Sequence, residues 1–116
     1  MTPEPEIDSR KFTEYSLNPN HPDNKGKWQA FAQLGYDVET LEERNQAAKN
    51  LIQQLRQGLI NVPSIPGEPT VHGLIFKVRI RITGLNSQEG TLVTSWQIDV
   101  GKDIPRLITN WLEIDR

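Results

Sequence analysis

The longest regular pattern in the sequence lies between residues 40 and 60, where apolar residues recur with the period of a helix. The apolar positions that share one helical face are Leu41, Ala48, Leu51, Ile52, Leu55 and Leu59. Thr40 precedes this stretch and Glu43 follows three residues later, which is the spacing of a capping box. The pattern therefore predicts a long amphipathic helix whose apolar stripe packs against a core.

From Val71 the apolar period changes to two residues, which is typical of strands with one buried and one solvated face. The two alternating runs place these residues on the buried face: Leu74, Phe76, Val78, Ile80, Ile82, then Leu92, Thr94, Trp96, Ile98 and Val100. Residues 84 to 90 between the runs contain Gly, Asn and Ser and predict a turn, so the two strands should pair antiparallel. Residues 106 to 113 favour a third strand over a short helix.

The N-terminal third of the chain carries weaker signals. A first helix is predicted over residues 25 to 34, with Asn24 as its cap and Gly35 as its left-handed stop. Residues 12 to 24 hold apolar anchors and two prolines, which predicts an ordered loop or a short extended segment. Residues 1 to 10 are polar and contain two prolines, so we expect a flexible, solvated tail.

These elements predict an α+β fold in which two N-terminal helices pack on an antiparallel β-sheet, a meander. At 116 residues the chain fits one domain, which we assign to residues 11 to 116 after the tail over residues 1 to 10. The prolines and glycine between residues 60 and 70 predict a surface connector from the long helix to the sheet.

The composition excludes several kinds of site. The absence of cysteine rules out disulfides, zinc-thiolate centres and thiol nucleophiles. His21 and His72 are too few for a metal centre, and no phosphate loop or nucleophile elbow is present, so we expect neither a metal nor a cofactor. No apolar stretch is long enough to cross a bilayer and no secretory signal is seen, so we expect a cytoplasmic location without membrane contact.

The charge balance restricts any nucleic-acid site to a local patch. The net charge of -2 and the pI near 5.7 provide no overall basic field. On the first predicted strand, Lys77, Arg79 and Arg81 share the solvated face and could follow a row of phosphates. The alternative is a solvated face whose cations are opposed by carboxylates of neighbouring strands, such as Glu89, Asp99 and Glu113.

His21 is a second candidate, because it precedes Lys25 and Lys27 in the approach to the first helix. A neutral imidazole could act as a base beside cations that bind an anionic substrate, although the same residues also suit a turn and a helix start. Tryptophan side chains could stack on bases. Trp28 and Trp96 fall on apolar faces and are expected in the core, which leaves the position of Trp111 open.

One ordered set of residues carries a family resemblance: Tyr15, Leu17, Asn18, Pro19, His21, Pro22, Gly26, Lys27, Phe31, Leu34, Gly35, Trp96 and Pro105 to Thr109. With these residues the chain resembles an uncharacterised bacterial domain family found in standalone proteins and at the C-terminal ends of polymorphic toxins and phage-associated proteins. Some members look like distant relatives of the barnase and RelE type ribonucleases. The resemblance implies site candidates at His21, Lys27, Trp96 and Thr109.

Two functions stay open at this point. In the first, a ribonuclease-like or nucleic-acid-binding, toxin-related domain holds RNA phosphates with its basic side chains while His21 moves protons during attack by a ribose 2'-hydroxyl. Its catalytic candidates are His21, Lys27 and Thr109, and its substrate-binding candidates are Lys77, Arg79, Arg81 and Trp96. In the second, a non-catalytic interaction module binds a cognate protein partner through the solvated sheet face and the connector.

Overall fold

Three strands and the helices that precede them form the regular structure of the chain. The computed structural model describes residue 1, residues 4 to 63 and residues 73 to 115. In chain order the elements are a π-helix at Lys11–Ser16, α1 at Lys27–Gln33, α2 at Leu41–Leu59, β1 at Leu74–Thr83, β2 at Glu89–Ile98 and β3 at Arg106–Ile114. The predicted α+β fold is confirmed. Most of the predicted connector, and His72, lie outside the described residues.

The sheet is a meander in the order β1-β2-β3 with both strand pairs antiparallel, which confirms the third strand. Its helix-facing side supplies seven buried apolar residues to the core: Val78, Ile80, Ile82, Leu92, Trp96, Leu107 and Leu112. Ser95 lies opposite Thr109 but Trp96 lies opposite Leu107, so Ile108 is the extra residue of a β-bulge. The bulge bends the start of β3, which contributes two residues to the candidate site described below.

The helix α2 begins at the predicted capping box. The Glu43 N–H donates to Thr40 Oγ1 at 3.1 Å, and the Thr40 N–H donates to Glu43 Oε1 at 3.0 Å. The helix then buries Ala47, Ala48, Leu51, Leu55 and Leu59 against the sheet and the N-terminal segment. No helix in the described part of the chain is long and apolar enough to cross a membrane.

Two apolar residues are exposed although their pattern placed them in the core. Leu41 is 55% exposed because it occupies the first position of α2, and Val100 is 60% exposed because β2 ends at Ile98. Gly58 of α2 lies very close to β1, since a Cβ at this position would lie 2.5 Å from Ile80 Cγ2. The glycine lowers helix propensity but allows α2 to approach β1 closely.

One buried polar residue keeps the alternation of β2 intact. Thr94 has no exposed surface, and its hydroxyl donates to the Val78 carbonyl at 2.7 Å while accepting from Trp96 Nε1 at 2.7 Å. These bonds satisfy the buried Thr94 hydroxyl and the Trp96 indole N–H. A threonine and a tryptophan can therefore share the core face of β2.

Residues 11 to 16 form a π-helix where the sequence predicts a loop or an extended segment. The Leu17 N–H bonds to the Phe12 carbonyl five residues back at 2.9 Å, and this wider turn brings both apolar side chains into the core. The Lys11 carbonyl accepts from Ser16 Oγ at 3.3 Å and from Asn110 Nδ2 at 3.2 Å. The π-helix is therefore fixed to β3 by a side-chain amide.

Asn24 organises the approach to α1, although the helix begins at Lys27 rather than at residue 25. Its Nδ2 donates to the carbonyls of Tyr15 and Ser16 at 2.6 and 3.1 Å, while its Oδ1 accepts from the Trp28 N–H at 3.2 Å. Asn24 therefore makes the predicted capping contact, although it lies three residues before the first residue of α1. Gly35 has φ +92°, which confirms the left-handed stop.

Part of the segment expected to be a solvated tail contacts the sheet. Glu6 forms a parallel bridge to Arg106, in which the Glu6 N–H donates to the Pro105 carbonyl at 2.8 Å and the Leu107 N–H donates to the Glu6 carbonyl at 2.9 Å. Pro5 is buried. The mobility of residues 1 to 10 stays a prediction, but these backbone bonds attach Glu6 to the outer edge of β3.

Candidate nucleic-acid interface

The basic side chains of β1 occupy the solvated sheet face, as the alternation predicted, but they have different partners. Arg79 donates to Glu113 Oε1 at 2.6 Å, and Arg81 forms an ion pair with Asp115. Lys77 lies instead with its Nζ 5.3 Å from the centre of the Trp111 ring. Each cation therefore reaches β3 or the residue that follows it, but among the described residues only the two arginines reach carboxylates.

For Arg79 and Arg81 the observed contacts match a solvated, ion-paired face. Arg81 also lies 3.6 Å from Glu89 Oε2 and donates to Thr91 Oγ1 at 3.0 Å. The hydrogen bond from Arg81 lowers the pKa of Asp115 below its usual value. These two arginines already hold carboxylates, so they present less positive charge to a ligand than the sequence suggests.

Two lysines from different parts of the chain meet at Trp111. Lys27, at the start of α1, has its Nζ 5.7 Å from the centre of the same ring that Lys77 approaches. Among the described residues neither lysine has a carboxylate within 4.0 Å. We call Lys27, Lys77 and Trp111 the lysine-tryptophan patch, a pair of uncompensated ammonium groups around a half-buried indole.

Tyr15 connects this patch to His21. The Lys27 Nζ donates to the Tyr15 hydroxyl at 2.6 Å and lies 4.6 Å from the centre of the Tyr15 ring. On the other side, the Tyr15 and His21 rings meet edge to face, with centroids 5.1 Å apart and an interplanar angle of 87°. The π-helix that carries Tyr15 therefore determines the spacing between the histidine and the lysine.

His21 opens onto a cleft of about 480 Å³ between the π-helix and the start of β3. The cleft is lined by Asp8, Arg10, Lys11, Glu14, Tyr15, His21, Asp23, Ile108 and Thr109. Ile108 and Thr109 enter this lining at the β-bulge. The Thr109 hydroxyl oxygen is buried and has no hydrogen-bond partner among the described residues.

The charges that line the cleft nearly balance. Asp8 and Arg10 neutralise each other through a contact of 2.7 Å, and the Arg10 hydrogen bonds lower the pKa of Asp8 to about 2. The remaining charges are the carboxylates of Glu14 and Asp23 and the ammonium of Lys11. The uncompensated positive charge thus lies on the lysine-tryptophan patch rather than in the cleft.

The hydrogen bond at His21 determines the tautomer of its neutral ring. His21 Nδ1 accepts from the Asp23 N–H at 3.0 Å, so the neutral ring carries its proton on Nε2. The other ring nitrogen is therefore a hydrogen-bond donor toward a ligand.

The structure brings together four of the site residues expected from the sequence: His21, Lys27, Lys77 and Thr109. Trp96 is a correction, because it has no exposed surface and its indole N–H is bonded inside the core, so it has no surface for a substrate to contact. That result confirms the expectation that Trp96 belongs to the core.

Sequence reasoning missed Lys11, Glu14 and Tyr15 as members of the site. The sequence offered Tyr15 as an apolar anchor of the loop and as a residue of the family resemblance, but its spacing to His21 gave no signal because the π-helix brings the two rings together. The alternation of β3 could have placed Trp111 beside the basic row of β1. Within the described residues, no group of three or more histidine, aspartate or glutamate side chains is arranged to hold a metal ion.

Comparison with known proteins gives one match. The model of a family described as Domain of unknown function (DUF6883) matches residues 4 to 113, nearly the whole chain. No curated protein and no solved structure matches the sequence.

Proposed function

We propose that this chain, which belongs to the family described as Domain of unknown function (DUF6883), binds single-stranded RNA. The observation that carries the proposal is the pair of ammonium groups, from Lys27 and Lys77, that approach one indole ring without carboxylate partners among the described residues. Lysine side chains bind phosphates as point charges, and an aromatic ring gives any base a surface for stacking. The lysine-tryptophan patch combines both contacts.

The low net charge of the protein agrees with a small, local site. Among the described residues five arginines form ion pairs, namely Arg10, Arg56, Arg79, Arg81 and Arg106, so their charges are largely compensated. Lys27 and Lys77 differ from them because only aromatic groups face their ammonium ends among the described residues. A phosphate that replaces water at these lysines displaces no protein carboxylate.

The proposed path of the RNA continues from the lysine-tryptophan patch to His21. Tyr15 and His21 present aromatic rings beside Lys27, and His21 Nε2–H is a donor suited to a phosphate oxygen or a base edge. Lys11 lines the adjoining cleft without an ion pair in the described part of the chain. A chain of several nucleotides could therefore lie from Trp111 to the cleft, with cations and aromatic rings alternating along it.

Salt titration of oligonucleotide binding tests the two lysines directly. A fluorescent single-stranded RNA should bind at low salt, and the slope of log affinity against log salt should fall by roughly 1.4 in Lys27→Ala with Lys77→Ala, at about 0.7 per phosphate contact. The matched control is Lys49→Ala with Lys102→Ala, which removes the same charge from exposed lysines. An equal change in both double variants would show that only net charge matters.

Removal of the indole tests the stacking contact. Trp111→Leu should weaken binding by about 1 to 3 kcal/mol, the range for base stacking on an aromatic side chain. Trp28→Leu provides the control, since Trp28 packs against the core and is also half-buried. Absence of RNA binding by the parent protein at low salt, or unchanged affinity in Trp111→Leu, would contradict the proposal.

Cleavage of the bound RNA is a second candidate, favoured by the contents of the cleft. His21 and the Glu14 carboxylate line one space, so a ring that can donate to a phosphate and a carboxylate that can accept a proton lie together, and Thr109 forms part of the wall. Attack by a ribose 2'-hydroxyl on its own phosphate would leave a cyclic phosphate and a free 5'-hydroxyl. The ribonuclease-like and toxin-related role implied by the resemblance requires this reaction.

The cleavage hypothesis has its own test. The protein should cut an RNA oligonucleotide and leave DNA of the same sequence intact, because DNA lacks the 2'-hydroxyl. His21→Ala should abolish cleavage while it preserves the fold and most of the binding. Binding of RNA without cleavage would reject this second function and leave the first in place.

A further inference from the structure

Among the described residues, the sheet has a strand neighbour on only one side of β1. β1 is the edge strand in the order β1-β2-β3, and its only strand partner in the described part of the chain is β2. The Gly84 N–H donates to the Gln88 carbonyl at 2.8 Å, just beyond the end of the strand. Since antiparallel pairing alternates, the even-numbered residues of β1 bond to β2 and the odd-numbered residues direct their N–H and C=O groups outward.

The side chain of Gln54 shows that this outward edge accepts a partner. The Thr83 N–H donates to Gln54 Oε1 at 2.9 Å, and Gln54 Nε2 donates to the Thr83 carbonyl at 2.9 Å. One carboxamide therefore makes the two bonds that a residue of a neighbouring strand would make. It also confirms that an odd-numbered residue of β1 faces away from β2.

The next three outward-facing residues along this edge are Lys77, Arg79 and Arg81, and among the described residues their backbone groups have no hydrogen-bond partner. A groove of about 700 Å³ lies beside the end of this edge. It is lined by Asn50, Gln53, Gln54, Gln57, Gly58, Asn61, Arg81 and Thr83. Within the described part of the chain, the edge thus has both unpaired backbone groups and adjacent space lined by amides.

We propose that β1 binds an extended acidic segment of another protein as an added antiparallel strand. Residues directly opposite one another in an antiparallel pair point to the same sheet face. Acidic residues of the segment would therefore lie opposite Lys77, Arg79 and Arg81, and would exchange up to about six backbone hydrogen bonds with them. The backbone edge of β1 was not among the surfaces that the sequence suggested for a protein partner, although its cationic side chains lie on the solvated face that was suggested.

The charges select an acidic segment over a second copy of this chain. If two copies paired β1 with β1 around Arg79, each Arg79 would face the other and each Lys77 would face an Arg81. Like charges directly opposite one another destabilise a strand pair. An acidic strand reverses the sign of each contact, and an arginine with five donors can hold a second carboxylate while it keeps Glu113 or Asp115.

The residues between the acidic ones in the added segment are constrained by α2. Their side chains would point to the helix-facing side, where the groove carries the amides of Gln53, Gln57 and Asn61. Short polar side chains such as threonine or serine can hydrogen-bond to these amides and also suit a strand. The expected partner sequence therefore alternates acidic residues with threonine or serine, and its binding does not depend on RNA binding.

A synthetic heptapeptide of alternating threonine and glutamate, with blocked ends, is the probe. Amide exchange of the full chain followed by NMR should show new protection at Lys77, Arg79 and Arg81 when the peptide is added. The amides of Val78 and Ile80 point to β2 and provide an internal control, because they should be protected with or without the peptide. A peptide with lysine in place of glutamate should give no protection.

Methylation of peptide nitrogens distinguishes an added strand from simple attraction between charges. N-methylation at the glutamates removes the N–H groups that would bond to β1, so affinity should fall by about tenfold or more, which corresponds to the loss of one or two hydrogen bonds. N-methylation at the threonines should change affinity by much less. Equal effects of the two methylations, no protection of the edge amides, or binding of the lysine peptide would each overturn the proposal.

Discussion

The two halves of the molecule are held together in different ways. Around α2, β1 and β2, apolar side chains at regular spacing fill the core, with Leu51, Leu55 and Leu92 almost fully buried. Between residues 8 and 35 the helices are short, and several side chains form hydrogen bonds to backbone groups. Asn24 bonds the carbonyls of Tyr15 and Ser16, and this half carries most of the candidate site.

The difference teaches where stability and binding are located. Burial of apolar area is non-directional, so the regular half can be stabilised by different apolar side chains of similar volume. Hydrogen bonds to buried backbone groups are directional, and they position Tyr15, His21 and Lys27. We therefore expect that mutations can separate the free energy of unfolding from RNA affinity.

The largest effect on stability is expected in the regular half. Leu51→Ala should lower the free energy of unfolding by about 2 to 5 kcal/mol, because it leaves a cavity beneath α2. At temperatures where the variant stays folded, its affinity for RNA should equal that of the parent. Urea denaturation and oligonucleotide titration measure the two quantities, with the exposed Lys49→Ala expected within about 0.5 kcal/mol of the parent. A loss below 1 kcal/mol would place Leu51 outside the core.

A smaller effect on stability, with a larger effect on binding, is expected for Asn24→Ala. The change leaves the carbonyls of Tyr15 and Ser16 without this amide, which should lower the free energy of unfolding by about 1 to 3 kcal/mol. RNA affinity should fall as well, because Tyr15 and Lys27 lose their fixed positions. The exposed Asn20→Ala is the matched control. Unchanged affinity in Asn24→Ala would show that the loop does not position the site.

The smallest effect on stability is expected from acidification. The Arg10 hydrogen bonds hold the pKa of Asp8 at about 2, below the ordinary 3.8, so the pair contributes stability above pH 3.8 and loses it as the pH falls toward 2. Asp8→Asn should have a slightly lower melting temperature than the parent at pH 5, and the difference should shrink on acidification. Melting curves between pH 5 and pH 2 measure it. Identical curves throughout would mean that this exposed pair contributes nothing.

The regular half could be predicted from the sequence because its signals are local. Thr40 and Glu43 predict the start of α2, and the alternation from Leu74 to Ile82 predicts which residues of β1 are buried and which are solvated. The same alternation placed Lys77 on the solvated face. It could not show that Arg79 and Arg81 face carboxylates while Lys77 faces an indole, because those partners depend on the register of β3.

The irregular half could not be predicted in the same way. The π-helix has no apolar period of its own, and Asn110, which lies far along the chain, supplies one of the two side-chain bonds to the Lys11 carbonyl. The approach of Tyr15 to His21 follows from that turn rather than from the five residues between them. Sequence reasoning therefore identified His21 and Lys27 but not the tyrosine that connects them.

The bridge between Glu6 and Arg106 has a consequence for stoichiometry. It occupies backbone groups on the outer side of β3, while the π-helix packs along the same strand, so the sheet is open to extension mainly along β1. A sheet that can grow on one side forms a closed complex with a single added strand, whereas growth on both sides would allow filaments. The N-terminal residues thus favour a one-to-one assembly and oppose polymerisation.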